Sequence, residues 1–256
     1  MNESILEVEE VTKLFGGLAA LDDVSFSVEA GEIKAVIGPN GAGKTTLFNV
    51  LTGVYRPNSG RVILKGKNII GSRPDQITAM GMIRTFQTVE LFEGMTVLEN
   101  TMVGCHSRSK YGFLSNSLRI PRAMREERRI FEEAMQILTD VGIETRASDE
   151  GMNLAYGQQR MLEFARALAS QPEILLLDEP AAGLNPYETG ELSNLISKLR
   201  DRGLTIIIVE HDMGLVMGIS NDIVVLDYGE VIARGTPDVI KNDPKVIEAY
   251  LGIGTE

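Results

Sequence analysis

Residues 38–45 read Gly-Pro-Asn-Gly-Ala-Gly-Lys-Thr, a glycine-rich loop that ends in a lysine and a hydroxyl residue. Glycines let the backbone curl until successive N–H groups point at an anion, and the lysine adds a charge suited to the β- and γ-phosphates of a nucleotide. The apolar run Ile33–Ile37 predicts a buried strand, and Thr46–Leu51 predicts a helix whose N-terminus faces the phosphates. This P-loop predicts a bound nucleoside triphosphate on an α/β fold. The residues expected to contact it are Gly38, Pro39, Asn40, Gly41, Ala42, Gly43, Lys44, Thr45 and Thr46.

Composition narrows the class of protein. A chain of 256 residues that is 43% hydrophobic can bury a substantial core. No apolar run approaches the roughly 20 residues needed to cross a bilayer, and Met1-Asn2-Glu3 does not start a signal-peptide pattern. The single cysteine, Cys105, cannot form an internal disulfide and fits a reducing compartment. A net charge of −11 argues against nucleic-acid binding, so we expect a soluble cytoplasmic protein.

The pattern of elements changes along the chain. Strand-like alternation occupies the N-terminal part, and helical stripes follow at 122–141 and 156–169. From residue 172 onward strand and helix patterns alternate, which predicts a parallel sheet covered by helices. The segments concerned are Ile174–Leu177, Glu188–Arg202, Thr205–Val209 and Ile223–Leu226.

A second chemical pattern follows the strand Ile174–Leu177, where two carboxylates, Asp178 and Glu179, come in succession. Ligands of open α/β folds bind at the carboxyl edge of the sheet, where these side chains are expected. Asp178 would hold the shell of a Mg²⁺ ion together with the hydroxyl of Thr45, and Glu179 could accept a proton from an attacking water. An isolated Asp-Glu pair more often marks a solvated turn. A P-loop upstream reverses that preference because its site needs an acidic metal partner.

These motifs and the segment Leu154–Arg160 between them resemble the nucleotide-binding subunit of an ABC transporter. The family signature Leu-Ser-Gly-Gly-Gln is similar to Leu154-Ala155-Tyr156-Gly157-Gln158. The resemblance implies a P-loop NTPase (RecA-like) α/β core with an N-terminal antiparallel β-subdomain and an inserted α-helical subdomain. We expect one ATPase domain over 1–256, with the core at 1–87 and 161–256 and the helical subdomain at 88–160.

Further family positions are implied only by this resemblance. Gln87 matches the Q-loop glutamine, which would touch Mg²⁺ or the attacking water, and His211 matches the switch histidine. Gly183-Leu184-Asn185 matches the D-loop, and Phe15 lies where the family places a ring that stacks on adenine. Singly these signals are weak, since a histidine after a strand is usually just exposed and a phenylalanine usually belongs to the core. Their order around two strong motifs favours the functional interpretation, with Glu179, His211 and Gln87 as the catalytic set.

Three departures from the family pattern point to one branch. Ala155 replaces the signature serine, Tyr156 replaces its first glycine, and Asn185 replaces the D-loop aspartate. With these variants the chain resembles the ATP-binding subunits of bacterial and archaeal branched-chain amino acid uptake systems. Some related subunits serve urea or other solutes, which leaves the solute open.

The resemblance also implies partners. A second ATPase subunit, either another copy or a homologue, would bind head to tail and bring Ala155, Tyr156, Gly157 and Gln158 onto the γ-phosphate. A membrane permease would dock near Gln87–Phe92 on the cytoplasmic face of the membrane, and a substrate-binding protein would act indirectly. ATP and Mg²⁺ are the expected cofactors.

Two other classes fit less well. A small-molecule kinase or GTPase has no use for the signature segment, and no guanine-reading Asn/Thr-Lys-x-Asp motif follows the P-loop. An ABC-type ATPase acting on nucleic acid or ribosomes usually carries two ATPase units or a long coiled coil. This chain has one P-loop, an acidic balance and no heptad run.

Overall fold

The computed structural model describes residues 4–85, 90–106 and 121–251. The chain divides into two compact units: 1–84, 173–181 and 189–256 form the first, and 85–172 with 182–188 form the second. The second unit extends to residue 172, whereas the sequence suggested a boundary after residue 160. A boundary at 160 would fall inside the continuous helix Tyr156–Ala169, which packs on the other helices of the second unit.

The first unit contains a four-stranded antiparallel sheet. Its strands are β1 (Ser4–Phe15), β2 (Leu18–Glu29), β4 (Ser59–Leu64) and β5 (Lys67–Asn68), in the order β2-β1-β4-β5. Gly16 and Gly17 form the turn between β1 and β2, and Phe15 pairs with Leu18 at the tip of this hairpin. This sheet corresponds to the antiparallel subdomain implied by the family resemblance.

A six-stranded sheet lies in the same unit, in the order β10-β9-β3-β8-β7-β6. Its strands are β3 (Ile33–Ile37), β6 (Met82–Arg84), β7 (Ile174–Asp178), β8 (Thr205–Val209), β9 (Asp222–Asp227) and β10 (Glu230–Gly235). All neighbours are parallel except β9 and β10. Every residue of β3, β7 and β8 is buried, which explains their largely apolar sequences; the exceptions are Lys34, Asp178 and Thr205. The carboxyl ends of the parallel strands meet at one edge, where the P-loop leaves β3.

Helices complete the first unit. They are α1 (Lys44–Leu51), α2 (Pro74–Ala79), α7 (Met213–Ile219), α8 (Pro237–Lys241) and α9 (Pro244–Leu251), with most of α6 (Pro186–Asp201). One apolar core joins residues of both sheets with the buried side of α1, including Leu47 and Phe48. The P-loop helix is therefore anchored between the two sheets.

The second unit is helical. It contains α3 (Val97–His106), α4 (Pro121–Asp140) and α5 (Tyr156–Ala169), with 3₁₀ turns at Glu144–Arg146 and Gly151–Asn153. Cys105, Ile130 and Ala169 form a small buried cluster where these three helices meet. Cys105 is a buried thiol with a packing role.

The predicted α/β architecture is confirmed, and β3, β8 and α5 have the predicted bounds. The strand β6 and the helix α3 were not anticipated, because three residues of β6 are too few to show a strand period. Among the described residues, no helix combines the length and apolar content required to cross a membrane.

Candidate functional site

The P-loop joins β3 to α1 with glycines in conformations that other residues avoid. Gly43, which caps α1, has φ of 103°, and Gly41 has φ of 84°. A Cβ on Gly38 would lie 2.1 Å from the carbonyl oxygen of Leu226, and one on Gly43 would lie 2.4 Å from that of Ala20. Glycine is therefore required at both positions by the close approach of neighbouring backbone.

Lys44, the first residue of α1, turns its ammonium back over the loop. Its side chain is 9% exposed, and Nζ donates to the carbonyl oxygens of Gly38 at 2.6 Å and Pro39 at 2.8 Å. Burial lowers the pKa of Lys44 from its ordinary value, and the charges of Glu179 and Asp178 oppose that shift. An ionised phosphate is a stronger acceptor than a neutral carbonyl, so Lys44 is placed to exchange these bonds for a nucleotide.

A cleft of about 330 Å³ opens beside the loop. Its lining residues are Leu18, Ala19, Ala20, Asn40, Gly41, Ala42, Gly43, Lys44, Thr45, Thr46, Glu179 and Tyr228. The predicted contacts from Asn40 to Thr46 thus share one cleft with Glu179, while Pro39 lines a neighbouring cleft of about 690 Å³. The volume, the glycine backbone and the lysine fit a polyphosphate.

The two predicted carboxylates end β7 in different environments. Asp178 is buried, and its Oδ2 accepts a hydrogen bond of 2.6 Å from Nη2 of Arg84. Glu179 has a left-handed backbone with φ of 46°, and its N–H donates to the carbonyl of Val209 on β8 at 2.9 Å. A non-glycine residue in this region is uncommon and costs free energy, and such conformations cluster at functional sites.

Mg²⁺ fits this donor set. Within the described ranges no group of three or more His, Cys, Asp or Glu side chains is arranged to hold a metal ion. Magnesium in nucleotide sites usually needs only one or two protein oxygens, since phosphates and waters supply the rest. Asp178 lies close enough to Lys44 to affect its pKa, and Thr45 lines the cleft, so these two residues could hold the ion with a bound nucleotide.

Glu210 is a residue that the sequence analysis did not single out. It follows β8 directly, is 0% exposed, and accepts backbone N–H bonds from Ala181 at 2.7 Å, His211 at 3.0 Å and Asp212 at 3.3 Å. A carboxylate directly after the apolar run Ile206–Val209 is a detectable signal, the same one that marked Asp178. Glu210 fixes the chain after Glu179 and the start of the loop that carries His211.

His211 lies at the same edge of the sheet with an exposed side chain. The side chain is 66% exposed, and Nδ1 lies 3.8 Å from Oε2 of Glu210. Two residues later α7 begins, with the carboxylate of Asp212 accepting from the N–H of Leu215 at 3.1 Å. The backbone of His211 is therefore fixed while its ring remains accessible to a ligand.

Phe15 lies at the tip of the β1–β2 hairpin and not in the core. Its ring is 44% exposed and packs edge-on against Tyr55, with 5.3 Å between centroids. Nζ of Lys13 lies 5.0 Å from the same ring. The core interpretation of Phe15 is thus excluded, and a flat base could stack on its exposed area.

The signature segment starts α5 in the helical unit. Ala155 occupies the cap position with extended backbone and no side-chain cap, so the first N–H groups of α5 are not capped by it. Gly157 is buried and Gln158 is half-buried. A Cβ on Gly157 would lie 2.4 Å from Oε1 of Glu188, so there is no room for a side chain at this position. Tyr156 rests its ring on Gly183 and its hydroxyl lies 3.3 Å from the carbonyl of Ala182.

Asn185, the third D-loop residue, caps α6. Its Oδ1 accepts from the N–H groups of Tyr187 at 2.9 Å and Glu188 at 3.0 Å, while its own N–H donates to the carboxylate of Glu188 at 2.9 Å. This reciprocal pair is a capping box. Asparagine and aspartate cap helices about equally well, so the departure at this position keeps the local structure.

Gln87 lies outside the described residues, as does the start of the predicted docking segment 87–92. Of that segment, Phe92 is described: its ring is exposed, its N–H donates to Oδ1 of Asn100 at 2.9 Å, and the guanidinium of Arg166 lies 5.4 Å from it. Leu91 is half-buried. An aromatic ring at the surface of the helical unit is available for contact with another protein.

Comparison with known families decides the class of the chain. The sequence profile described as ABC transporter matches residues 21–182, which include the P-loop, the signature and the two carboxylates. The chain belongs to the ABC transporter family. A second profile, described as branched-chain amino acid ATP-binding cassette transporter, matches residues 230–254. This ABC family member is an ATPase whose activity is coupled to transport.

Relatives match this ABC family member over nearly its whole length. The chain is 48% identical to the high-affinity branched-chain amino acid transport ATP-binding protein LivG of Salmonella typhimurium, covering 98% of the chain and 99% of that protein. It is 47% identical to the protein of the same description, BraF, of Pseudomonas aeruginosa, with equal coverage.

Solved structures agree with this assignment. An ATP-binding cassette of an ABC transporter in its ADP conformation is 34% identical with a TM-score of 0.85, covering 98% of this chain and 99% of that one. A dimeric cassette in a post-hydrolysis state, bound to ADP and phosphate, is 25% identical with a TM-score of 0.76 and covers 91% and 98%.

Proposed function

We propose that this chain is the ATP-hydrolysing subunit of an importer for branched-chain, hydrophobic amino acids. The observation that carries the proposal is the 48% identity to a branched-chain amino acid transport ATP-binding protein over 98% of the chain. A specific C-terminal profile match supports it. The subunit acts at the cytoplasmic face of the membrane, where it drives permease subunits.

The P-loop binds the triphosphate. Backbone N–H groups of the loop, which Pro39 alone lacks, surround the phosphates, and Lys44 releases the carbonyls of Gly38 and Pro39 to bind the β- and γ-phosphates. Because Lys44 is largely buried, its charge is screened little by solvent, which strengthens its attraction to phosphate. Phe15 presents its exposed ring to the adenine.

Thr45, Asp178 and Gln87 are the residues that would hold Mg²⁺. The ion supplies charge neutralisation for the phosphates when it is bound. Thr45 contributes a hydroxyl from the first turn of α1, and Asp178 contributes a carboxylate from the end of β7. The role of Gln87 follows from the family resemblance alone.

Glu179, His211 and Gln87 form the proposed catalytic set. Glu179 lines the cleft beside the P-loop, where its carboxylate can accept a proton from the attacking water. The ring of His211 can donate a hydrogen bond to the γ-phosphate as charge develops on it. Glu179 and His211 follow the adjacent strands β7 and β8 of one sheet. The buried carboxylate of Glu210 accepts from the N–H of Ala181 and so fixes the chain after Glu179.

A second ATPase subunit completes the site in this proposal. Bound head to tail, it supplies its own Ala155, Tyr156, Gly157 and Gln158, so that the start of α5 faces the γ-phosphate. ATP then stabilises the closed dimer, and hydrolysis removes the phosphate that bridges the two subunits. A dimeric cassette among the structural relatives supports this arrangement. The partner is a second copy or a homologue.

Permease docking is proposed at the segment 87–92 of the helical unit. Phe92 offers an exposed ring there, and the guanidinium of Arg166 lies 5.4 Å from the centre of that ring. Aromatic and arginine side chains are enriched in protein interfaces. A short cytoplasmic helix of the permease would cover this surface, while the substrate-binding protein acts on the far side of the membrane.

Solute uptake in the organism that carries this gene tests the proposal. Deletion of the gene should abolish high-affinity uptake of radiolabelled leucine. A plasmid with the wild-type gene should restore uptake. A plasmid with Lys44→Ala, which changes one P-loop side chain and should leave the fold intact, should not restore it. Normal leucine uptake in the deletion strain, with loss of urea or another solute, would replace the substrate by that solute.

A non-transport ABC ATPase is the second candidate. The acidic balance of the chain disfavours nucleic acid as a partner. Affinity purification from detergent-solubilised membranes should recover permease subunits; recovery of ribosomes or DNA-bound proteins without a permease would favour this alternative.

A further inference from the structure

Arg84, the last residue of β6, connects three elements around the end of β7. Its Nη2 donates to Oδ2 of Asp178 at 2.6 Å, and its Nη1 donates to Oδ1 of Asn49 on α1 at 2.7 Å. The guanidinium carbon lies 5.6 Å from the ring of Phe48, also on α1. Arg84 therefore bridges the carboxylate after β7 and the helix that follows the P-loop.

The bridge is buried and directional. Arg84 and Asp178 are 9% and 7% exposed, so the two charges compensate each other away from water. The planar guanidinium reaches two acceptors in fixed directions, which a lysine ammonium on a flexible stem cannot reproduce. In the sheet, Arg84 is paired with Leu176, two residues before Asp178. The parallel register thus brings arginine and carboxylate together across 94 residues of sequence.

The bridge holds one carboxylate oxygen of Asp178. Nη2 of Arg84 donates to Oδ2 of Asp178, which fixes the orientation of the whole carboxylate that would face a metal ion or its waters. Asn49 lies one helical turn after Thr45, so the same guanidinium also constrains the helix that carries the second metal-binding side chain. Partners that orient metal ligands in this way contribute strongly to metal affinity.

We propose that Arg84 is a positioning residue of the magnesium site, fixing the carboxylate of Asp178 and, through Asn49, the helix of Thr45. The inference rests on the proposed function, in which Asp178 and Thr45 hold Mg²⁺. It assigns Arg84 no contact with nucleotide. Its effect is confined to the part of nucleotide affinity that depends on magnesium.

Calorimetric titration with ADP, in excess Mg²⁺ and in excess EDTA, tests this inference without ATP turnover. The ratio of the two affinities is the magnesium gain. Arg84→Lys keeps the charge and loses the two-directional bridge, so its magnesium gain should fall about 10- to 100-fold. Its affinity for ADP in EDTA should stay within about twofold of wild type, because the P-loop is unchanged.

Asn49→Ala gives a second measurement, since it removes one acceptor of the guanidinium and retains the Asp178 pair. Its magnesium gain should fall in the same direction by a smaller factor, and it carries the test if Arg84→Lys fails to fold by circular dichroism. Arg61→Lys is the matched control. Arg61 forms an exposed ion pair with Glu9 at 2.8 Å, and its substitution should leave both affinities unchanged.

Two outcomes would overturn the inference. The first is a magnesium gain that is unchanged in Arg84→Lys and Asn49→Ala, which includes an equal loss of affinity in Mg²⁺ and in EDTA, and the second is a gain that rises. A different result, in the wild-type protein, would contradict the proposed function. A wild-type protein with no magnesium gain would remove the metal site itself, whereas a normal wild-type gain that is also lost in Asp178→Asn retains the site and leaves only Arg84 in question.

Discussion

At the scale of single residues, the proposed function assigns binding and hydrolysis to different side chains. Lys44, which follows β3, points its ammonium at the P-loop carbonyls, where phosphate would lie. Glu179 extends from a strained turn after β7, and β8 lies between β3 and β7 in the sheet. The two charges interact, since Glu179 opposes the depression of the Lys44 pKa. Substitutions at these positions should nevertheless separate affinity from rate.

Lys44→Ala should weaken ATP binding about 10- to 100-fold, because it removes a charge-assisted hydrogen bond to phosphate. Calorimetry with ATP measures this change directly. Thermal unfolding serves as the control, since the variant must retain a folded core. An ATP affinity equal to that of wild type would contradict the position of Lys44 over the phosphates.

Glu179→Gln should bind ATP as wild type does and hydrolyse it about 10²- to 10⁴-fold more slowly, the usual contribution of a general base. Phosphate release at saturating ATP measures the rate. His211→Ala should behave like this variant and not like Lys44→Ala. Hydrolysis near the wild-type rate in Glu179→Gln would assign the base to another residue.

At the scale of elements, the loop between β3 and α1 depends on glycines for two reasons that can be tested separately. At Gly38 a Cβ would collide with the backbone of Leu226, whereas at Gly41 nothing lies within 4 Å of a Cβ and only the positive φ of 84° opposes a side chain. Gly41 is limited by backbone conformation alone, whereas Gly38, with φ of 153°, is limited by both packing and backbone conformation.

Gly41→Ala should lower the free energy of unfolding by about 1–2 kcal/mol, the cost of a left-handed conformation. Gly38→Ala should lower it by clearly more, since neighbouring backbone has to move. Urea unfolding followed by circular dichroism gives both values. Equal losses at the two positions would show that the contact between Gly38 and Leu226 does not constrain the loop.

The helical elements also explain the departures from the family signature. Tyr156 replaces a glycine, and its ring covers Gly183 within the helical unit, while Asn185 caps α6 through a reciprocal pair with Glu188. The same Glu188 occupies the space that a side chain at Gly157 would need. The signature segment and the D-loop are therefore packed as one local structure in this chain.

At the scale of the whole molecule, ATP should control association. Glu179→Gln with Mg·ATP should double its mass in light scattering, because slow hydrolysis lets the ATP-bound dimer accumulate. The double variant Lys44→Ala/Glu179→Gln is the matched control and should remain monomeric. If Glu179→Gln dimerises only when a homologous ATPase of the same transporter is added, the dimer is mixed. A monomer in both experiments would contradict the shared site.

Sequence alone determined the local features of this protein. The P-loop, the strands β3 and β8 and the helix α5 were predictable, because each depends on neighbouring residues or on a regular apolar period. The pair Asp178-Glu179 was predictable for the same reason, since it directly follows an apolar strand. Asp178 and Glu179 were placed at the correct edge of the sheet because parallel strands share it.

Only the tertiary structure determined the contacts between distant segments. The bridge from Arg84 to Asp178 spans 94 residues, and the bond from Ala181 to Glu210 spans 29. Neither has a local pattern, because sheet register and strand order bring the partners together. The surface position of Phe15 was decided in the same way, by where the hairpin ends. Contiguous sequence thus specified which chemical groups are present, and the long-range packing of the sheet specified how they are oriented.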